Sequence, residues 1–329
     1  MEEQTTHVSP SHEEEVEYPK AALYKRWFAF IIDLFLAVLS GMIFFSLGNL
    51  IIDHVPSYEA VVEKRDEMQV QSGLYDSNHQ ALILTVSNST DSYDVKKDTL
   101  NKAIEAFYAN TDYFTTDSYY QEYQSRKKAA TDSSGNPIFV EDSAHPGTYL
   151  EGSYSSETYY NFYYSEIDKH CLGYLSLNAT YKDLTNVIFR AFILLLFAGM
   201  TIGYLLFFFV LPWILKRGRK TLGMYLFRIS LVSNEGLNLT AKQYLLRSLL
   251  QFVLGYLLSL ATFGIPILVS VTMMHLSKAH QDFFDYLTTT YMVDTANKDV
   301  YLDYAEYLSR KGLSQEATLE NKDFRLPPK

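Results

Sequence analysis

One stretch constrains this chain more than any other. After Lys25 and Arg26, residues 27–52 form an apolar run broken by a single carboxylate, Asp33. As a helix rising 1.5 Å per residue the run is about 39 Å long, enough to cross a hydrocarbon core of roughly 30 Å with some tilt. Arg26 and Asp33 are seven positions apart, so they share a helix face two turns apart. A carboxylate at that depth costs about 2.5–3.5 kcal/mol on insertion scales, which predicts that Asp33 faces protein or water rather than lipid. The run is too long for the apolar core of a cleaved signal peptide, and acidic residues (Glu13, Glu14, Glu15, Glu17) precede it, so it reads as a retained span.

Two further apolar regions lie near 187–215 and 244–276. The mean hydropathy of −0.08 therefore averages two unlike materials. The single Cys171 excludes an internal disulfide framework and a multi-cysteine zinc site. Residues 1–19 are acidic, lack apolar periodicity and read as a disordered cytoplasmic tail. Residues 20–53 carry the first transmembrane segment, with Gly41 and Gly48 on one face. Residues 54–186 form a polar insert with 20 Asp or Glu against 10 Lys or Arg between His54 and Thr185. That is a normal size for one small domain. Within it, DTLNKAIEAFY at 98–108 has helical spacing with Leu100, Ile104 and Phe107 on one side, and 81–86 is a candidate core element. The tyrosines between 113 and 164 show no period and read either as a binding surface or as core and loop filler.

The second span contains Gly199 and Gly203 in a G-x-x-x-G, which permits close helix packing. Pro212 and Trp213 near its end predict a kink and an interfacial anchor. From Lys216 to Arg247 there are seven basic residues and one acidic, Glu235. Short connections with this bias are normally cytoplasmic, which puts the N-terminus inside and the acidic insert outside. Residues 227–232 alternate like a strand, and Thr240 is placed to N-cap an amphipathic helix. The third apolar region is interrupted by Gly264 and Pro266. One tilted helix would leave the C-terminus outside, whereas a hairpin of two helices would return it to the cytoplasm and give four spans. A strand at 288–293 can pair with 227–232 only if both lie on one side. The fold class expected is therefore mainly α: a polytopic helical membrane protein with an inserted extracytoplasmic domain of unknown fold. Residues 187–295 complete the membrane domain, and 296–329 form a cytoplasmic tail with a short amphipathic helix over 299–318.

Three separated blocks resemble the RDD family of membrane proteins, named for one Arg and two Asp. The first comprises Arg26, Ala29, Ile32 and Asp33. The second is a basic turn with Gly218, Thr221 and Gly223, followed by the strand and by a helix bearing Arg247. The third comprises Gln281, Asp285 and Thr290. The resemblance covers about 20–55 and 186–295. It departs from the family at Phe284, where members often carry His, and in the long insert. It implies a plasma-membrane, multi-pass protein. The family has no settled common activity: cation/proton antiport has been proposed for some members, and others look like accessory or assembly factors.

Intramembrane ionisable groups are a default functional-site hypothesis, which makes Arg26, Asp33, Arg247 and Asp285 the candidate ion-pair or transport set. In one reading they support ion or small-solute transport. In the other, Asp33 pairs with Arg26, Arg247 or backbone donors and fixes how the helices pack, two arginines against two aspartates being what a neutral cluster needs, and the chain is an anchored binding or assembly protein acting through its insert. Its partners would be the lipid bilayer, a second copy of the chain or another envelope protein, with no nucleic acid. Catalytic and metal-binding motifs are lacking. Gly218-Arg219-Lys220-Thr221 lacks the order of a P-loop, and His275 and His280 do not share a helix face. No enzyme activity, catalytic residue, metal or cofactor is expected.

Overall fold

The structure is a computed structural model describing residues 18–110, 117–277 and 280–310. Most of the expected N-terminal tail, and the C-terminal tail beyond 310, lie outside the described residues, as do 111–116 in the tyrosine-dense stretch. In chain order the elements are α1 (Leu23–Ile52), α2 (Pro56–Gln71), α3 (Leu82–Asn88), α4 (Tyr93–Ala109), α5 (Asp117–Ala129), β1 (Phe139–Glu141), β2 (Tyr149–Glu151) and α6 (Ser156–Glu166). A π-helical turn at Ile167–Cys171 joins α6 to α7 (Leu172–Leu177). There follow α8 (Ala179–Ile214), α9 (Leu222–Leu226), β3 (Ile229–Ser233), α10 (Ala241–Ala261), α11 (Ile265–Leu276), α12 (Phe283–Thr288), β4 (Thr290–Asp294) and α13 (Tyr304–Arg310). The chain is mainly helical, and α1, α8 and α10 are each long and apolar enough to cross a membrane.

The chain divides into two compact units. One runs from Gly48 to Leu195; the other combines residues up to Leu47 with those from Leu196 onward. In the 48–195 unit, α4 packs on α6. Leu100, Ile104 and Phe107 are buried, as the spacing predicts. So are Tyr108, Tyr123, Tyr159 and Tyr163, whose rings fill the core. A buried polar contact ties three helices. Glu166 accepts from Tyr108 Oη (2.8 Å), from Arg126 Nη2 (2.6 Å) and from Arg126 Nε (2.9 Å). The candidate core element at 81–86 lies in the helix Leu82–Asn88, N-capped by Ala81, with Ile83 and Val86 buried.

In the other unit, the buried residues of α1 are Arg26, Ala29, Asp33, Ala37 and Gly41, a stripe spaced by three and four that faces protein. Its small members let backbones meet. A Cβ at Gly203 would lie 2.3 Å from the Ala37 carbonyl oxygen, and one at Gly199 would lie 2.7 Å from that of Gly41. Both glycines of the G-x-x-x-G are therefore used within the chain. The second span is longer than expected because its helix starts at Ala179. A π-helical turn at Leu206–Val210 precedes Pro212. Pro212 has no N–H for the Phe208 carbonyl four residues back, and Tyr244 Oη donates to that carbonyl instead at 3.1 Å.

β3 and β4 pair antiparallel, from Ile229 opposite Asp294 to Ser233 opposite Thr290. They lie one or two residues beyond the strands expected from alternation. Thr240 caps α10 through a reciprocal box with Gln243. At residues 262–264 the chain turns sharply, with Gly264 at φ +88°, and α11 packs back along the end of α10. The apolar region is thus a bent pair. Its second arm, twelve residues or about 18 Å long, is shorter than a hydrocarbon core. Among the described residues the C-terminal helix runs Tyr304–Arg310; Val300 and Tyr301, expected on it, are buried ahead of it, and 311–318 lie outside the described residues.

Candidate functional site

The four charged residues singled out from the sequence all belong to the unit holding α1 and α10, but they form two centres rather than one. The first is built on Asp285, one turn into α12 and fully buried. Its Oδ2 accepts from Arg26 Nη2 of α1 at 2.8 Å. Its Oδ1 accepts from Arg247 of α10, through Nη2 at 2.8 Å and Nε at 3.2 Å, and from Thr290 Oγ1 at 3.2 Å. Arg26 and Arg247 are only 5% and 4% exposed. Asp285 therefore holds three chain segments through charge-assisted hydrogen bonds, the stronger class. Arg26 Nη1 also donates to the His280 carbonyl, and Arg247 Nη1 to Gln251 Oε1 at 3.2 Å. Gln281 Nε2 donates to the Thr290 carbonyl at 3.0 Å, bracing the turn that presents Asp285.

Asp282 was not singled out from the sequence, yet it belongs here. It N-caps α12, its Oδ1 accepting from the Asp285 N–H at 2.6 Å. Its Oδ2 lies 3.9 Å from Arg26 and 4.0 Å from Arg247. Burial, and secondly the charge of Asp285, push its carboxyl up to about 6. The available signal was positional: an Asp three residues before a helical Asp is an N-cap candidate.

The second centre is Asp33, which is 2% exposed and makes no ion pair among the described residues. Of the partners expected for Asp33 (Arg26, Arg247 or backbone donors), both arginines go to Asp285 and a backbone donor remains. Asp33 Oδ2 accepts from the Thr221 hydroxyl, and Oδ1 from the Gly223 N–H at 2.8 Å. The same hydroxyl accepts the Met224 N–H at 3.2 Å as N-cap of α9, so its one hydrogen is committed to Asp33. Gly223 is required because a Cβ there would lie 2.1 Å from the Ala29 carbonyl oxygen. Ala29, Thr221 and Gly223 are thus parts of one contact. Gly218, at φ +77°, turns the chain ahead of it, in a backbone region glycine enters readily.

A cavity of about 240 Å³ lies beside both centres. Arg26, Asp33, Arg219, Arg247 and Asp282 contribute its charged lining, and Phe30, Leu34, Met200 and Ile267 are among its apolar walls. Arg219 was read from the sequence only as part of a basic loop. Its guanidinium lies over the rings of Trp213 and Tyr244, 5.5 and 5.2 Å from their centroids.

Comparison with known families meets this geometry. The RDD family model matches residues 172–289. The RDD match takes in Gly199, Gly203, Gly218, Thr221, Gly223, Arg247, Gln281 and Asp285, and stops one residue short of Thr290. Arg26 and Asp33 lie ahead of the matched segment, and the fold brings them onto Asp285 and onto Thr221 with Gly223. The RDD family is membrane-associated, in agreement with the three span-length helices. No curated protein and no solved structure gives a significant match to this chain.

Proposed function

We propose that the RDD-like unit is a clamped membrane scaffold that anchors and orients the 54–186 insert, and that the insert carries the binding function. The observation behind this is that both oxygens of Asp285 and both oxygens of Asp33 already accept hydrogen bonds from neighbouring segments. A carboxylate held this way ties helices together. A carboxylate that exchanges ions would need oxygens free to release and rebind.

The topology proposed with it puts the N-terminus in the cytoplasm, the acidic insert outside and the basic 216–247 segment inside a plasma membrane. The charge bias supports this orientation. Pairing of β3 with β4 supports a return of the chain to the cytoplasmic side, with α10 and α11 entering as a hairpin and making the third and fourth membrane segments. No catalytic role is proposed for any residue.

Transport remains the second reading, favoured by one observation: the cavity reaches Asp33, which has no ion pair among the described residues. Complementation of a strain lacking the chain separates the two. With matched membrane levels, the scaffold reading expects Asp33→Asn to complement and a chain shortened across 60–180 to fail. A transporter gives the reverse.

A further inference from the structure

We propose that the cavity of the RDD-like unit binds one anionic phospholipid of the surrounding bilayer, with Arg26 and Arg219 holding its phosphodiester and the apolar wall holding an acyl chain. Both arginines line the cavity and are more than nine-tenths buried. Each keeps an Nε–H with no hydrogen-bond partner. Buried donors are nearly always paired, so unpaired Nε–H groups on two arginines that line one cavity point to an acceptor that belongs beside them. Neither group is free to turn away. Arg26 is fixed by Asp285 and by the His280 carbonyl. Arg219 is fixed by its Trp213 and Tyr244 faces and by Nη1 donating to the Trp213 carbonyl at 3.2 Å. Planar guanidinium edges held this way suit phosphate oxygens.

The carboxylates on the same wall are engaged within the protein: Asp33 accepts from Thr221 and Gly223, and Asp282 caps α12 and lies 3.9 and 4.0 Å from the Arg26 and Arg247 guanidinium groups. The remaining wall decides between a lipid and a soluble anion. Leu34, Val38 and Ile267 line the cavity and are also 44%, 41% and 42% exposed, so it opens on an apolar surface. Inorganic phosphate would leave that apolar length unfilled, whereas a chain from the adjoining bilayer fills it.

The test uses the full purified chain in detergent. Native mass spectrometry would compare phosphatidylglycerol with diacylglycerol of identical chains, which lacks the phosphodiester, and inorganic phosphate would be added as competitor. The expected result is one retained phosphatidylglycerol, bound roughly tenfold more tightly than diacylglycerol, the scale of one lost charged hydrogen bond. Arg219→Gln should bring the two lipids to parity, and Arg219→Lys should keep part of the preference. Val271→Phe, which fills the apolar wall without touching a charge, should weaken both lipids. Its folding would be checked by circular dichroism. Phosphatidylglycerol with brominated chains should quench Trp27, which lines the cavity, in a Trp213→Phe background. Equal binding of the two lipids, displacement by inorganic phosphate, or a preference that survives Arg219→Gln would each overturn the proposal. So would an unchanged retention in folded Val271→Phe.

Discussion

Gly223→Ala is the smallest change that tests how the Asp33 centre is held. The added Cβ would sit 2.1 Å from the Ala29 carbonyl oxygen and 2.7 Å from its carbon. Both are backbone atoms of α1 and cannot rotate away. Ordinary contact begins near 3.4 Å, so the α9 turn must withdraw from α1 by about 1.3 Å. The Gly223 N–H now stands 2.8 Å from Asp33 Oδ1, and that withdrawal takes it out of hydrogen-bond range. Losing a hydrogen bond to a charged group costs about 1.5–3 kcal/mol, and overpacking typically costs about 1–3 kcal/mol. The two overlap, because yielding relieves the clash by breaking the bond, so about 3 kcal/mol is expected. The assay is equilibrium unfolding of the full chain in mixed micelles as the denaturing detergent fraction rises. In an Asp33→Asn background the added cost should fall by about 1 kcal/mol or more, since contacting residues couple on that scale. A loss below about 1 kcal/mol, or an equal loss in both backgrounds, would refute the reasoning.

Three further outcomes follow from the same geometry. Asp285→Asn leaves Arg26 and Arg247 buried without their counter-charge and should cost about 3–5 kcal/mol in the same unfolding assay, with Arg26→Gln restoring part of the loss. Burial, and secondly Asp285, raise Asp282 from 3.8 to about 6, so the folded chain binds more protons than the unfolded one between those values. The stability contributed by this group should then fall as pH rises through that window, and Asp282→Asn, which keeps an N-cap, should flatten the slope; an unchanged slope would contradict the assignment. In the 48–195 unit, burial and then the charge of Glu166 push the Cys171 thiol up to about 12. Iodoacetamide at pH 8 should therefore label Cys171 only after unfolding, and mass analysis showing rapid labelling of the native chain would contradict its burial.

Much of the membrane unit was legible because its physics is local and periodic. Arg26, Ala29, Asp33 and Gly41 fall on one face by spacing alone, and Gly199 with Gly203 permits a close backbone approach. Thr240 and Gln243 announce their capping box three residues apart. What spacing could not convey was which donors answer which acceptors. Counting two arginines against two aspartates suggests two pairs, yet Asp285 takes both arginines and Asp33 takes a hydroxyl and a backbone N–H. A backbone donor carries no sequence signal except the glycine that lets it approach. Arg219 hid among neighbouring lysines and arginines that mark topology. The insert was least legible, because tyrosine serves equally as core and surface. Only packing distinguishes buried Tyr108 and Tyr163 from exposed Tyr93.

The central claim is that Asp33 and Asp285 hold helices rather than move ions. Proteoliposomes of the purified wild-type chain, with proton flux followed under imposed Na⁺ and K⁺ gradients, test it most directly. The account predicts flux no greater than in protein-free vesicles, together with lower unfolding stability in Asp33→Asn. Cation-driven proton flux that disappears in a folded Asp33→Asn chain of undiminished stability would contradict it.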